Sequence, residues 1–223
     1  MIDPIWENKY TKGFEQRYPW DSVVSFVYRY APKNKERKDI QILEVGFGSG
    51  SNLWFAAKEG FSVQGIEASE TAVFQAESRF QNEGLSADLR RGDFVSLPFE
   101  SNSADLVIDR AGLTHVGKSE HKKALKEILR VLKPGGFFHY NPYADSHSSS
   151  RSGVLNHEGV RHNITEGSLT GVGQVFFPSR ADIEAFFTVG WKLHQIQRRE
   201  WTDMLNATGN IHAEWLIVAE KIL

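Results

Sequence analysis

Glycine alternates with other residues in Gly46-Phe47-Gly48-Ser49-Gly50, between an apolar run and an amphipathic stretch. Glycine allows the positive φ of a tight turn and lets backbone N–H groups approach a ligand closely. At the N-terminus of a helix these groups favour an anion. The pattern indicates a site for a nucleotide-like cofactor, although a turn that needs glycine only for its backbone conformation would show the same residues.

The spacing of the glycines bears on which cofactor is expected. A nicotinamide or flavin fingerprint has the form G-x-G-x-x-G/A, and its sixth position is Ser51 in this chain. The sequence therefore departs from the dinucleotide pattern in favour of G-x-G-x-G. A nicotinamide-dependent oxidoreductase remains an alternative interpretation.

Acidic residues follow the next two predicted strands. Glu67 comes about twenty residues after Gly46, where a carboxylate can accept hydrogen bonds from both ribose hydroxyls. A solvated charge at the start of a helix is the alternative for Glu67. Asp93 follows the third strand and could accept a bond from an adenine amino group, while Phe94 stacks on the ring. Since ligands bind at the carboxyl ends of strands in open α/β sheets, these positions predict one crevice.

The elements that must position these residues follow an α/β pattern, because short apolar runs alternate with amphipathic stretches from about residue 41 to 140. Strands are predicted at about 40–45, 61–66, 87–89, 106–108 and 137–140. Helices are predicted at 51–58, from a Ser69 cap to Gly84, at 120–132, and from a capping box at Ser179 to Gly190. The segments 191–199 and 211–221 are predicted to form a hairpin around the polar turn 206–210.

The chain of 223 residues is interpreted as a single domain with four parts. These are an N-terminal helical cap (1–39), a cofactor-binding core (40–140), a lid or substrate insert (141–178), and a helix with the C-terminal hairpin (179–223). The insert is rich in Ser, Gly, Asn and His, so a solvated polar loop is its alternative. A metal site is not expected, because the spacing of its histidines matches no ligand pair and the chain has no cysteine.

The composition excludes several classes of protein. Without cysteine there are no disulfides, thiolate nucleophiles or iron–sulfur clusters. The net charge of −2 gives no basic surface for nucleic acid, although a local groove for a protein or RNA substrate stays open. No apolar run is long enough to span a bilayer, and the first twenty residues lack the apolar core of a signal peptide. A cytoplasmic protein that binds no membrane is expected.

Residues 42–140 resemble a class I S-adenosylmethionine-dependent methyltransferase. The segment 42–50 resembles the first motif of that family, Glu67 its ribose-binding acid, 92–94 its adenine-site motif, and 132–136 its late helix-to-strand turn. The resemblance implies S-adenosyl-L-methionine as cofactor. It also implies a Rossmann-like, doubly wound fold, with a mostly parallel seven-stranded sheet, an antiparallel C-terminal strand and helices on both faces.

The resemblance assigns expected roles to individual residues. Cofactor contacts are expected from Glu44, Gly46, Phe47, Gly48, Gly50, Glu67, Ala68, Asp93, Phe94, Asp109 and Arg110. Catalytic roles are expected for His115 and Asp109, with a loop histidine as the alternative for His115. Substrate contacts are expected from Tyr10, Trp20, His115, Tyr140 and Tyr143, while the aromatic residues near the N-terminus could instead pack a helix onto the sheet.

The expected reaction is direct in-line methyl transfer to a small-molecule acceptor, with no nucleic-acid partner. The stretch Asp109-Arg110-Ala111-Gly112-Leu113 resembles one in thiopurine and related small-molecule S-methyltransferases, which often read Asp-Arg-Gly. In-line displacement requires alignment of the acceptor atom and exclusion of water, and a general base only if the acceptor must lose a proton. A non-catalytic S-adenosylmethionine-binding protein is a further alternative.

Overall fold

A computed structural model describes residues 4–205 and 209–222. Its α-helices are α1 (Ile5–Thr11), α2 (Asp21–Tyr30), α3 (Ser51–Lys58), α4 (Glu70–Asn82), α5 (Lys118–Val131) and α6 (Arg180–Phe186). Its strands are β1 (Gln41–Val45), β2 (Ser62–Glu67), β3 (Asp88–Arg91), β4 (Ala104–Arg110), β5 (Leu132–Asn141), β6 (Val154–Leu155), β7 (Val160–His162), β8 (Val175–Phe176), β9 (Trp191–Thr202) and β10 (Ile211–Lys221). Within these ranges no helix has the length and apolar character that crossing a bilayer requires.

The main sheet has seven strands in the order β3-β2-β1-β4-β5-β10-β9. All of its pairs are parallel except those of β10, which runs antiparallel to both β5 and β9. This arrangement confirms the predicted fold class. The strand order reverses direction between β1 and β4, and in open α/β sheets a crevice for a ligand opens at such a point.

Two apolar layers cover the sheet, one on each face. Successive side chains of a strand point to opposite faces, so Leu43 and Val45 of β1 lie in one cluster and Ile42 lies in the other. The first cluster includes residues of α5 and α6, and the second includes residues of α2, α3 and α4. Burying both faces explains why the central strands carry consecutive apolar residues, such as 42–43 in β1 and 106–108 in β4.

Helix caps confirm two of the predicted helix starts. The Ser69 hydroxyl accepts a hydrogen bond from the Ala72 N–H at 3.1 Å and begins α4. At α6, the Ser179 hydroxyl and the Asp182 carboxylate form a reciprocal capping box. These side chains satisfy N–H groups that have no partner within the helix, which is why the short polar pattern marks the start.

The predicted fifth strand begins earlier than expected. β5 starts at Leu132, directly after α5, whereas the sequence predicted a break over 133–136 and a strand from Phe137. The pairing of β5 with β4 shifts register between Ala104 and Leu106, opposite this segment. The proline and glycine residues therefore produce an irregularity inside the strand instead of a separate turn.

The insert contains secondary structure that the sequence did not indicate. β6, β7 and β8 form a small antiparallel sheet of their own. Ile164, Leu169 and Val175 are buried in a separate apolar cluster, with Tyr143 and Phe177 packed against it. The expectation of a solvated polar loop is therefore wrong for much of this segment.

The last two strands form the predicted hairpin. β9 and β10 pair from Trp191 opposite Lys221 to Thr202 opposite Ile211. The turn predicted at 206–210 lies in part outside the described residues, since 206–208 are not among them. The hairpin places the antiparallel strand β10 against β5, and so completes the sheet beside the crevice.

We expect His139 on β5 to make folding sensitive to acid. It is buried, stacks on Phe26 with ring centroids 5.1 Å apart, and neither ring nitrogen has a hydrogen-bond partner among the described residues. Burial lowers the pKa of His139 to about 3, mainly by desolvating the charged ring, with the nearby charges of Arg110 and Arg199 adding to the effect. An unfolded histidine titrates near pH 6.5, so the unfolded state gains the proton first as the pH falls. The stability from the neutral ring is present above pH 6.5 and is lost as the pH falls towards 3.

Replacing His139 should flatten this dependence. In His139→Phe, we expect the urea-derived free energy of unfolding to fall less between pH 7 and pH 5 than in the wild type. His157, which is exposed on the surface, provides the control, and His157→Gln should keep the wild-type slope. An unchanged slope in His139→Phe would show that another group controls acid stability.

Candidate active site

A cavity of about 390 Å³ opens at the carboxyl end of the sheet. Its walls come from the residues after β1, β2, β3 and β4, from the segment before β1, and from the start of the insert. Small-molecule pockets in proteins measure roughly 300–1,000 Å³, so the cavity is large enough for a cofactor-sized ligand. It coincides with the crevice that the strand order creates.

The glycine turn after β1 forms one wall. Gly46 and Gly48 line the cavity with φ values of 68° and 56°, and a Cβ on Gly48 would lie 2.5 Å from the Tyr10 hydroxyl. Gly50 also has a positive φ, but it does not line the cavity, and a Cβ there would lie 2.9 Å from the Cβ of Ala76. The cofactor contact expected of Gly50 remains a prediction. Its small size lets the start of α3 pack closely against α4.

Glu67 is held rigidly at the end of β2. Its Oε1 accepts hydrogen bonds from the N–H groups of Ala68 at 2.7 Å and Ser69 at 2.9 Å, and its Oε2 accepts one from Gly48 at 2.9 Å. Burial raises the pKa of Glu67, and these three backbone donors oppose the rise. Both Glu67 and Ala68 line the cavity, so the carboxylate is fixed where it can accept further bonds from a ligand.

Glu44 on β1 presents a second carboxyl group. Its Oε1 accepts a hydrogen bond from the Asn52 side-chain amide at 2.7 Å, while its buried Oε2 has no partner among the described residues. Burial raises the pKa of Glu44 to about 8. A buried acid with an unused oxygen beside a cavity suits a cationic ligand group. The sequence missed Asn52, which also accepts a bond from the Trp20 N–H at 3.1 Å.

The structure brings the other predicted cofactor residues to the same cavity. Asp93 and Phe94 line it after β3, and Phe47 lines it from the glycine turn. The Asp93 carboxylate accepts a bond from the Val95 N–H at 3.0 Å, which orders this turn. Arg91 lines the same end and was not predicted. Cofactor contacts by these residues remain predictions.

Asp109 does not line the cavity. It is fully buried at the end of β4, and its Oδ1 accepts a hydrogen bond from the Leu113 N–H at 2.8 Å. Burial raises the pKa of Asp109 to about 7. The turn that it holds includes Ala111, whose φ of 61° is strained for a residue with a side chain. Asp109 therefore holds this turn in place, and the catalytic and cofactor-contact roles expected of it remain predictions.

Arg110, the next residue, does line the cavity. One guanidinium nitrogen lies 3.2 Å from a Glu214 carboxylate oxygen, in a pair that is almost fully buried. The guanidinium also lies 4.0 Å from the centroid of the Trp20 ring. β4, β10 and the N-terminal segment therefore meet at this side chain.

His115 lines the cavity beyond Arg110. Its Nδ1 lies 2.8 Å from the backbone carbonyl oxygen of Gln174, and its ring lies 5.0 Å from that of Trp6. A ring that donates from Nδ1 to a carbonyl carries its lone pair on Nε2 when neutral. Gln174 belongs to the insert and was not predicted, because 59 residues separate it from His115.

Tyr140, an expected substrate contact, does not line the cavity. It is fully buried in the core, and its hydroxyl lies 2.7 Å from Nε2 of His121. Alternation along β5 turns its side chain towards the layer of α5 and α6, away from the cavity. The other four expected substrate residues line the cavity; they are Tyr10, Trp20, His115 and Tyr143.

The N-terminal segment is bonded to the core around the cavity. The Glu7 carboxylate accepts bonds from the Ser69 hydroxyl at 2.6 Å and from the Thr71 N–H at 3.3 Å, and it also bonds the Thr71 hydroxyl. The backbone of Gln16 exchanges two bonds of 2.9 Å with the Ser49 hydroxyl. Glu7 and Phe14 line the cavity and were missed, because their contacts depend on how this segment docks. Among the described residues, no three acidic or histidine side chains are grouped to hold a metal ion.

Comparison with known proteins reveals the family. A family model described as a methyltransferase domain matches residues 42–136. The chain is 33% identical over 154 residues to thiopurine S-methyltransferase of Vibrio cholerae, a match that covers 61% of this chain and 68% of that protein. This chain belongs to the S-adenosylmethionine-dependent methyltransferases.

The chain is also similar to two other proteins. An uncharacterized protein of Haemophilus influenzae is 35% identical over 102 residues, which covers 44% of this chain and 41% of that protein. The chain therefore matches less than half the length of that relative. A solved structure from Methanosarcina mazei described as a SAM-dependent methyltransferase superposes with a TM-score of 0.71 at 22% identity. That superposition covers 92% of this chain and 99% of the other, and it supports the fold.

The residues in the cavity fit S-adenosylmethionine, the cofactor of this family. The cofactor carries a positive sulfonium and an ammonium group, and the carboxyl groups of Glu44, Glu67 and Asp93 line the cavity. The unpartnered oxygen of Glu44 suits the ammonium group, and the fixed carboxylate of Glu67 suits ribose hydroxyls. Gly46 and Gly48 also fit this cofactor, because they keep one wall of the cavity free of side chains.

The role of Glu67 can be tested by binding. We expect Glu67→Ala to raise the Kd for S-adenosylhomocysteine by about tenfold or more, since the variant loses charged acceptors for the ribose. Isothermal titration calorimetry measures this change. Glu77→Ala, at an exposed position of α4, is the control and should bind as the wild type does. An unchanged Kd in Glu67→Ala would remove Glu67 from the ribose site.

The raised pKa of Glu44 predicts that ligand binding releases protons. At pH 7 the carboxyl is mostly protonated because its pKa is about 8, and a bound ammonium group favours its ionised form. Binding of S-adenosylhomocysteine should therefore release protons at pH 7 and become tighter as the pH rises towards 8. Calorimetry in buffers of different ionisation enthalpy measures the release. We expect Glu44→Gln to lose it, and an equal release in that variant would contradict the assignment.

Proposed function

We propose that this chain transfers the methyl group of S-adenosylmethionine to a small-molecule acceptor by direct in-line displacement. The observation that carries the proposal is the position of His115, which is oriented by the Gln174 carbonyl and lines the same cavity as the glycine turn and Glu67. The match to a thiopurine S-methyltransferase supports a small acceptor. The near-neutral charge of the chain agrees with an acceptor other than nucleic acid.

Different residues around the cavity have different roles in the reaction. S-adenosylmethionine supplies an activated methyl group on a sulfonium when it is bound. Glu44, Glu67 and Asp93 bind and orient the charged and polar groups of the cofactor. Trp6 and Phe14 of the N-terminal segment line the cavity and exclude water from it. The reaction then requires the acceptor atom to be aligned with the methyl carbon at about 3–3.5 Å.

His115 is the proton acceptor for substrates that must lose a proton. The Gln174 carbonyl fixes the ring with Nδ1 as the donor, so Nε2 is the basic nitrogen. A base in this place increases the nucleophilicity of a hydroxyl, thiol or amine acceptor. The contact with Trp6 holds the ring from the other side.

Binding and turnover separate this proposal from its alternatives. Calorimetry should detect S-adenosylmethionine or S-adenosylhomocysteine binding, and no binding at millimolar ligand would contradict the proposal. Tighter binding of NAD(H) than of S-adenosylmethionine would favour an oxidoreductase. Formation of S-adenosylhomocysteine with a library of small molecules would exclude a non-catalytic binding protein. A cytoplasmic location and the division of the chain into cap, core, insert and hairpin remain predictions.

Substitution of His115 should affect turnover more than binding. With an acceptor found in that screen, we expect His115→Gln to lower kcat by about a hundredfold or more, since it removes a general base. The Kd for S-adenosylhomocysteine should stay within about threefold of the wild type, because His115 is outside the set of residues assigned to the cofactor.

The pH dependence provides the second measurement. The acidic limb of the wild-type pH–rate profile reports ionisation of the base, and this limb should disappear in His115→Gln. A variant that keeps both kcat and the acidic limb would show that His115 is not the base. The acceptor then reacts without proton transfer to this residue.

A further inference from the structure

Arg110 is a buried cation at the edge of the cavity, and the cofactor contact expected of it remains a prediction. Its side chain is 6% exposed, yet it lines the cavity. It is presented by the turn that Asp109 holds, next to Ala111 in its strained conformation. Backbone strain of this kind persists where the surrounding structure enforces it, and such positions cluster at functional sites.

The hydrogen bonding of Arg110 is incomplete. A guanidinium has five N–H donors. One nitrogen of Arg110 bonds a single Glu214 oxygen at 3.2 Å, and the Tyr143 side chain is a second hydrogen-bond partner. The Nε donor is buried and has no partner among the described residues. A buried donor without an acceptor is costly, so the cavity beside Arg110 suits a ligand that brings an acceptor group.

The surroundings of Arg110 are flat and apolar. The Trp20 ring lies 4.0 Å from the guanidinium, and Tyr143 lines the cavity on the same side. Burial raises the pKa of Tyr143, and the nearby charge of Arg110 opposes this rise, which places the phenol beside the cation. Trp20 comes from the N-terminal segment and Tyr143 from the insert, the parts of the chain outside the cofactor-binding turns.

We propose that Arg110, Trp20 and Tyr143 form an anion subsite for the acceptor, which therefore carries a carboxylate or a similar planar anion on a flat apolar group. The planar fork of arginine matches the two oxygens of a carboxylate, and the aromatic rings cover the faces of such a ligand. This inference rests on the proposed function, because only a methyltransferase would bind an acceptor at this subsite. It adds the chemical class of that acceptor.

The methionine carboxylate of the cofactor is the other possible source of the same anion. An anion from the acceptor and an anion from the cofactor would give Arg110 different ligand preferences. An acceptor subsite distinguishes a small aromatic anion from its neutral analogue. A cofactor subsite distinguishes S-adenosylhomocysteine from an analogue that lacks the α-carboxylate.

Benzoate and benzamide are the matched probes, since they share shape and differ in charge. Calorimetry in the presence of saturating S-adenosylhomocysteine should show benzoate binding more tightly than benzamide to the wild type. We expect Arg110→Gln to weaken benzoate binding by about tenfold, because a charge-assisted pair is lost, and to leave benzamide unchanged. Arg110→Lys keeps the charge but loses the planar guanidinium, so its affinity for benzoate should lie between those of the wild type and Arg110→Gln. Thermal melting of each variant confirms that it is folded.

Replacing Glu214 should change benzoate binding in the opposite direction. Glu214→Gln removes the carboxylate that competes for Arg110, so benzoate should bind at least as tightly as in the wild type. If both Glu214→Gln and Arg110→Gln weaken benzoate equally, the pair is a structural link between β4 and β10, and the proposal is wrong. No preference for benzoate over benzamide in the wild type also overturns it.

Cofactor binding is measured separately for every variant. If Arg110→Gln weakens S-adenosylhomocysteine but not its analogue without the α-carboxylate, and leaves benzoate unchanged, the anion belongs to the cofactor and the proposal is overturned. Benzoate binding is also measured without S-adenosylhomocysteine. A wild type that binds benzoate but no S-adenosylhomocysteine would contradict the proposed function while keeping Arg110 as an anion site.

Discussion

The carboxylate of Glu67 connects the parts of the molecule on which the site depends. By accepting N–H groups from Gly48, Ala68 and Ser69, it joins the turn after β1 to the start of α4. Ser69 in turn caps α4 and bonds the Glu7 carboxylate, so the N-terminal segment is held through the same cluster. One buried acid thus orders the glycine turn, the start of α4 and the aromatic residues that α1 brings to the cavity.

The electrostatics of the cavity follow from burying acids where a cation is to bind. Desolvation raises the pKa values of Glu44 and Glu67, and a positively charged ligand group beside Glu44 would offset that cost for Glu44. At the proposed acceptor subsite the sign of the buried charge is opposite, since Arg110 is a cation that Glu214 only partly satisfies. The cavity is therefore suited to a cation at one position and to an anion at another, which is consistent with a sulfonium donor and an acidic acceptor.

Much of the fold could be predicted because its signals are local. The apolar periodicity predicted α3 at 51–58 and β10 at 211–221, and the short polar caps at Ser69 and Ser179 marked two helix starts. The insert could not be predicted, because its small sheet is stabilised by a separate cluster of scattered apolar residues. The sequence predicted too short a strand β5, since its proline and glycine residues indicated a break. In the structure, β5 pairs with β4 through this segment with a shift in register.

The same distinction applies to the site. The sequence established the glycine turn and the acids Glu67 and Asp93, because strand ends in a parallel sheet converge on one edge wherever their helices pack. Folding established the contacts that join distant segments, such as His115 with a carbonyl 59 residues away and Arg110 with a carboxylate 104 residues away. It also established which side chains face the cavity and which, like Tyr140, face the core. Those outcomes depend on packing across the whole chain, and no local pattern encodes them.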